Sequence, residues 1–141
     1  KSISSKLGLG AAIEYLLNHI GISNAEKKII ALGSLLRKEL RNVHGVSIYH
    51  DIENFSPLCA IVCFSVNGFH PEEILDYMVG KPSHHGRFEL SIVPKTSTPM
   101  DSMNTDTENM VRASLSYFNE ERDIEIFISK LEALIKKQSH D

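Results

Sequence analysis

LCAIVCFSV, residues 58–66, is an almost continuous apolar run of strand length. Central strands that are covered on both sides have this composition, because neither of their faces meets water. We therefore predict a strand inside a sheet, with neither face exposed. The Asn67-Gly68 pair that follows predicts a turn. The first structural landmark is thus a buried strand that ends at residue 66.

Four helices surround this strand in the sequence, each marked by apolar residues three or four positions apart. The helix after the turn begins near Pro71, a residue favoured in the first helical turn, and ends at Gly80. Asn24 and Asn119 are predicted as N-caps of two others. The four predicted helices cover residues 5–20, 24–42, 71–80 and a final stretch after Asn119.

Three further strands are predicted from alternating apolar and polar residues, at 46–49, 87–93 and 110–117. The element order is then α-α-β-β-α-β-β-α. This order has no internal repeat and favours an α+β fold of two layers, with helices packed on one face of a mainly antiparallel sheet. At 141 residues the chain has the size of one domain.

Charge and hydropathy exclude two classes of partner. The chain has 15 basic and 18 acidic residues and a net charge of −3, and its basic residues form no run longer than a pair. We therefore expect no nucleic-acid binding. No apolar stretch approaches the roughly 18 to 20 residues that cross a bilayer, and the first residues do not resemble a signal peptide. The expectation is a soluble intracellular protein, cytoplasmic or organellar, with no membrane partner.

The two cysteines, Cys59 and Cys63, lie in the same predicted strand. Their Cα atoms would be roughly 13 Å apart, too far for a disulfide. We expect thiols that pack in the core as small hydrophobic groups, in preference to a nucleophile. The seven histidines are scattered except for the adjacent pair His84-His85, so we predict no metal site. Motifs for phosphate loops and serine hydrolases are absent from the sequence.

Arg112 is the best candidate for a binding residue. It lies in VRASL, residues 111–115, where the apolar residues alternate with Arg112 and Ser114, which therefore face the other side of the strand. Its guanidinium could bind a carboxylate or a phosphate through two hydrogen bonds. The alternative is an edge-strand arginine paired with a surface acid. The long polar segment 95–109 just before it is typical of a functional loop.

The segment VRASLSYFNEE, residues 111–121, resembles the last part of class V aminotransferases of the cysteine desulfurase and selenocysteine lyase type, with the pattern V-R-A-S-L-x-x-Y-N-T-x-E-E. LGAAIEYL, residues 9–16, resembles the family's helix that joins its large and small domains. IVCFSVNGFHP, residues 61–71, resembles its V-S-F-x-x-x-G-x-H-P strand, turn and helix. The resemblance extends over nearly the whole chain, in the same order.

The resemblance implies that residues 1–141 are one C-terminal small domain, including the helix that links it to an absent large domain. That large domain would bind pyridoxal 5′-phosphate and supply its Schiff-base lysine, so this chain alone would hold no cofactor and catalyse nothing. Arg112 matches the arginine that binds the α-carboxylate of a small amino acid substrate. The full-length protein would be a homodimer.

The same resemblance locates an active-site loop, with the family pattern R-x-G-H-H-C-x-Q-P. Aligning Pro99 with its proline puts Thr96 at the cysteine and Ser91 at the arginine; aligning the histidine pair puts Gly86 at the cysteine instead. Neither alignment supplies a thiol, so a selenocysteine lyase, an epimerase or an aminotransferase of this fold stays open beside a desulfurase. Lys95 and Thr96 are candidate substrate contacts.

A second hypothesis is a stand-alone α+β module that binds a protein or a ligand without catalysis. The two hypotheses differ in the first helix. A domain that belongs to a larger protein should expose apolar surface from Leu7 to Leu17 and associate through it. A stand-alone module should cover that surface itself.

Overall fold

The computed structural model describes residues 3–49, 60–79, 89–94 and 109–138. These ranges contain four α-helices and four strands in the predicted order. The helices are α1 (Ile3–Tyr15), which continues into a π-helical turn (Leu16–Ile20), α2 (Ile22–Asn42), α3 (Pro71–Val79) and α4 (Glu121–Gln138). The strands are β1 (Val46–Tyr49), β2 (Ile61–Val66), β3 (Glu89–Pro94) and β4 (Asn109–Ser114). The predicted α+β class is confirmed.

The four strands form one antiparallel sheet in the order β1-β2-β4-β3. The strand β2 is therefore interior, as predicted. It pairs with β1 from Val46 opposite Val66 onwards and with β4 through Phe64 opposite Val111. The predicted turn after β2 is confirmed too, and Gly68 has the positive φ of 80° that glycine adopts without strain.

The hydrophobic core lies between one face of the sheet and the helices α2, α3 and α4. Phe64 and Phe127 meet at its centre with their rings edge to face, 6.1 Å between centroids. The other fully covered side chains of this layer include Leu36, Leu40, Val62, Ile74, Val111, Ala113, Ile124 and Leu131. The helices thus cover one face of the sheet, which confirms the predicted two-layer arrangement.

The opposite face of the sheet, which we call the open face, corrects the prediction for residues 58–66. Burial along β2 alternates: Val62, Phe64 and Val66 are buried, whereas Ile61 is 45% exposed and Cys63 is half-buried. The strand is interior in the sheet, and within the described ranges the core helices cover one side of it. Cys63 consequently lies on the open face, and its predicted place in the core is wrong. Cys59 lies outside the described residues.

Helix α1 stands apart from this core. Its apolar side chains and those of the π-helical turn do not pack inward as those of the core helices do: Leu7 is 70% exposed and Leu9 63% in the helix, and Leu17 is 53% exposed in the turn. It connects to the rest of the chain through the π-helical turn, whose closing bond runs from the Gly21 N–H to the Leu16 carbonyl at 2.8 Å. The apolar surface expected from Leu7 to Leu17 is therefore present.

Two predicted N-caps are wrong. Helix α2 begins at Ile22, so Asn24 lies inside its first turn, where its Nδ2 donates to the Ile20 carbonyl at 3.1 Å. Helix α4 begins at Glu121, and the Oδ1 of Asn119 accepts from the Ser116 N–H at 2.7 Å in the preceding turn. That turn also ends β4 earlier than the predicted residue 117.

The start of helix α3 follows the prediction. Pro71 is its first residue, and the Glu73 carboxylate accepts from the His70 N–H at 2.7 Å. This bond satisfies a backbone donor that the helix itself cannot pair. Across the described ranges, no helix combines the length and apolarity needed to span a membrane.

Candidate anion-binding site on the open face

One row of side chains crosses the open face from edge to edge. Tyr49 on β1 lies opposite Cys63 on β2, Cys63 lies opposite Arg112 on β4, and Arg112 lies opposite Ser91 on β3. Residues directly opposite one another in an antiparallel pair point to the same face, with Cβ atoms about 4.5–5.5 Å apart. The row therefore brings a phenol, a thiol, a guanidinium and a hydroxyl onto one surface.

Arg112 lies on this face because its two neighbours in β4 pack into the core on the opposite face. Val111 and Ala113 are fully buried on the helical side, so the intervening side chain must point away from it. The predicted orientation of Arg112 and Ser114 is confirmed by this alternation, and both residues are half-buried. A strand in the sheet interior thus presents a cation where the sheet is not covered by the core helices.

Two polar atoms of this row are buried without a hydrogen-bond partner. The Nε of Arg112 and the Oγ of Ser91 are inaccessible to solvent and have no hydrogen-bond partner in the described ranges. Such orphaned polar groups are uncommon in folded proteins, and each one points to a role or to a missing partner. The alternative of an Arg112 Nε bonded to a surface acid is not found there.

The flanks of the row are polar or exposed. Tyr49 Oη and Ser65 Oγ are joined by a hydrogen bond of 2.8 Å at the β1 edge. Glu89, which lies opposite Ser114 and diagonal to Arg112, is exposed to water. The row keeps a positive charge at its centre.

This arrangement is suited to binding a carboxylate. An arginine binds a carboxylate with two parallel N–H donors, and a side-on pair uses Nε with one terminal nitrogen. The Nε of Arg112 is the buried donor that such a pair requires. The row contains no carboxylate or histidine that could act as a general acid or base. Among the described residues, no three histidine, cysteine or acidic side chains lie close enough together to hold a metal ion.

Ser91 was missed as a polar partner by sequence reasoning, although the signal was present. Its alternation with Leu90 and Ile92 puts Ser91 on the face of β3 opposite the apolar residues. The pairing of β3 with β4, which the sequence does not reveal, brings it opposite Arg112. Lys95 and Thr96, together with His84, His85 and Pro99, lie outside the described residues.

The family model for class V aminotransferases matches residues 1–127. A probable cysteine desulfurase of Methanothermobacter thermautotrophicus is 27% identical over 139 residues, which is 94% of this chain and 32% of that protein. A probable cysteine desulfurase of Synechocystis is 24% identical over 145 residues, which is 99% of this chain and 32% of the relative.

A solved structure has the same fold. The crystal structure of the Escherichia coli cysteine desulfurase CsdA matches 96% of this chain and 31% of its own length, with a TM-score of 0.76 and 16% identity. The chain thus spans about a third of the length of the relatives and of the structure that it matches.

Proposed function

Because this chain belongs to the class V aminotransferase family, with a match over residues 1–127, we propose that it is the C-terminal small domain of a pyridoxal 5′-phosphate enzyme similar to cysteine desulfurases. The relatives named above are about three times longer, which supports a larger protein around this domain. In this proposal residues 1–141 form one domain, and the large domain precedes it in the same polypeptide.

The observation that carries the proposal is the buried Nε of Arg112, unpaired in the described chain. Leaving a buried donor unsatisfied costs about 1–3 kcal/mol, and a bound carboxylate removes that cost with a charge-assisted bond. We assign to Arg112 the α-carboxylate of a small amino acid substrate. Two parallel bonds would fix the direction of the carboxylate and hence the orientation of the substrate's Cα.

The cofactor itself would be held elsewhere. In the described chain every lysine lies on a helix, on α1, α2 or α4, and none on the open face of the sheet. The row fits a substrate carboxylate and leaves the Schiff-base lysine and the phosphate contacts to the large domain. When bound there, pyridoxal phosphate supplies an electron sink for chemistry at the substrate's Cα. On its own, this chain should bind no cofactor and have no activity.

We assign the segment that follows β3 to the active-site loop, with Lys95 and Thr96 in contact with the substrate. In the alignment through Pro99, Thr96 occupies the place of the cysteine that accepts sulfur in the family. A threonine hydroxyl cannot form a persulfide, so this alignment favours another reaction at the same Cα. A Thr96→Cys variant of the complete protein that releases sulfide from cysteine when dithiothreitol is present to reduce its persulfide, where the parent does not, would support this register.

Helix α1 supplies the link to the large domain in this proposal. The exposed leucines of this helix and of the π-helical turn after it, Leu7, Leu9 and Leu17, form a surface that the described core leaves uncovered. Apolar patches of this kind mark contact sites in soluble proteins. We propose that the large domain covers them and that the complete protein is a homodimer.

The test is Arg112→Ala in the complete polypeptide, with Arg122→Ala as a control because Arg122 is an exposed arginine on α4. The Arg112 variant should lose more than about tenfold in kcat/KM, which corresponds to roughly 1.4 kcal/mol of transition-state stabilisation. The control should change kcat/KM by less than about twofold. A smaller loss at Arg112 would remove its assigned role, whereas a complete polypeptide without any activity toward amino acids would favour a module that does not catalyse.

A further inference from the structure

We propose that Ser91 donates a second hydrogen bond to the carboxylate bound by Arg112, so that the anion site spans strands β3 and β4. This inference rests on the proposed function, because it adds a specificity-determining residue to the same site. The site would then be built from two strands of the sheet and would recognise a singly charged carboxylate.

The first support is the coincidence of two unsatisfied atoms. Among the buried side-chain nitrogen and oxygen atoms of the described residues, those without a hydrogen-bond partner are the Arg112 Nε and the Ser91 Oγ. These residues are direct partners in the β3–β4 register. Their Cβ atoms are therefore about 4.5–5.5 Å apart on the same face. One anion between them would satisfy both atoms.

The second support is that both atoms can donate. The Nε of arginine is a donor only, and a serine hydroxyl rotates to donate wherever an acceptor lies. The Ser91 hydroxyl could also accept, yet it receives no bond from the Arg112 Nε in this structure, since both atoms are without a partner. A carboxylate offers about four lone-pair positions and can accept from both groups. Two unpaired donors on directly opposite residues of one face are suited to an anionic ligand.

Neighbouring hydroxyl groups are placed differently. Ser65 already shares a hydrogen bond of 2.8 Å with Tyr49, and Ser114 lies opposite Ile61 and Glu89, one step along the face. Ser91 is the serine directly opposite Arg112. Because a hydroxyl adds a hydrogen bond without a second positive charge, the pair favours a carboxylate with one negative charge over a dianion.

Ser91 should act on substrate binding. The carboxylate is not the reacting group, so its bonds are the same in the ground state and in the transition state, and their loss raises KM without changing kcat. In the complete polypeptide, Ser91→Ala should raise KM by about three- to tenfold and keep kcat within about twofold. Ser91→Thr keeps the hydroxyl and should restore KM to within about twofold of the parent. Ser114→Ala is the matched control on the same face.

A binding measurement gives a readout independent of catalysis. In the same protein, the NMR signal of the Arg112 Nε–H group should shift on titration with acetate and not with acetamide, which has the same shape without the charge. Ser91→Ala should weaken acetate binding by about three- to tenfold. Unchanged KM and acetate affinity in Ser91→Ala would overturn the inference, as would a fall in kcat at constant KM. If Arg112→Ala affects neither quantity, the proposed function itself fails.

Discussion

Arg37 of helix α2 donates from Nη2 to the carbonyl oxygen of Ile61, the first residue of β2, at 2.7 Å. The side chain is buried, although its residue type is almost always exposed. The bond ties α2 to the point where β2 enters the sheet. Ile61 lies opposite Ser114, two residues along β4 from Arg112, so this bond also holds the start of β2 beside the strand that carries Arg112.

Arg37 should therefore contribute more to the free energy of unfolding than an exposed basic residue of the same helix. Arg37→Met keeps most of the buried stem but leaves the Ile61 carbonyl without its charged donor, so the free energy of unfolding should fall by about 1.5–3 kcal/mol. Lys38→Met, one residue along on the exposed side of α2, should change it by less than about 0.5 kcal/mol. Urea denaturation followed by circular dichroism measures both. Equal effects would mean that the buried bond adds nothing.

Phe64 tests the centre of the core. Its side chain is fully buried against the edge of Phe127, so Phe64→Ala should cost about 3–5 kcal/mol of unfolding free energy through the cavity it leaves. Phe118, which is 64% exposed and contacts the Tyr117 ring, is the control. Phe118→Ala should cost less than about 1.5 kcal/mol. Similar losses in the two variants would contradict the core described above.

The elements with a clear periodicity were predictable from the sequence. Strand β1 has its predicted bounds, 46–49, and the orientation of Arg112 followed from alternation with Val111 and Ala113. These predictions succeed because the pleat of a strand and the pitch of a helix fix which side chains share a face.

The errors arise where a local pattern has several physical solutions. An asparagine near a helix start can cap the helix or bond to a neighbouring turn, and both Asn24 and Asn119 do the latter. An apolar strand such as 58–66 does not reveal whether one face or two are covered, which misplaced Cys63. A buried Arg37 is invisible to periodicity, because its acceptor on β2 is 24 residues away.

Asn119 should stabilise the protein through its side-chain hydrogen bonds in the turn between β4 and α4. It is almost fully buried, and its Oδ1 accepts from the Ser116 N–H while its Nδ2 donates to Asp123 at 3.3 Å. Asn119→Ala leaves those groups unpaired and should lower the unfolding free energy by about 1–3 kcal/mol. Asn42→Ala, at an exposed asparagine at the end of α2, is the matched control and should stay within about 0.5 kcal/mol. Thermal denaturation compares the two.

The exposed apolar surface of α1 and the π-helical turn should control self-association of the 141-residue chain. Replacing Leu9 and Leu17 by Lys puts charges on the apolar surface without touching the core residues. The double variant should sediment as a smaller species than the parent and keep the same denaturation midpoint. As a control, Glu14→Lys adds charge at an exposed polar position of α1 and should leave association unchanged. A parent chain that is monomeric at all concentrations would contradict this role for the surface.

Two glycines on the same segment should respond in opposite ways to alanine. Gly8 lies inside α1 with no atom within 4 Å of an added Cβ, so Gly8→Ala should stabilise that helix by roughly 0.5–1 kcal/mol through lower chain entropy. Gly21 joins the π-helical turn to α2 at φ 79°, where an alanine Cβ is strained and meets the Asn24 side chain at 3.4 Å. Gly21→Ala should therefore destabilise the junction by about 1–2 kcal/mol. Because α1 lies outside the core, hydrogen exchange of the α1 and α2 amides is the suitable measurement. Exchange in α1 should be slower in Gly8→Ala, and exchange around residues 16–25 should be faster in Gly21→Ala. Equal effects of the two substitutions would show that the positive φ at Gly21 does not constrain the joint.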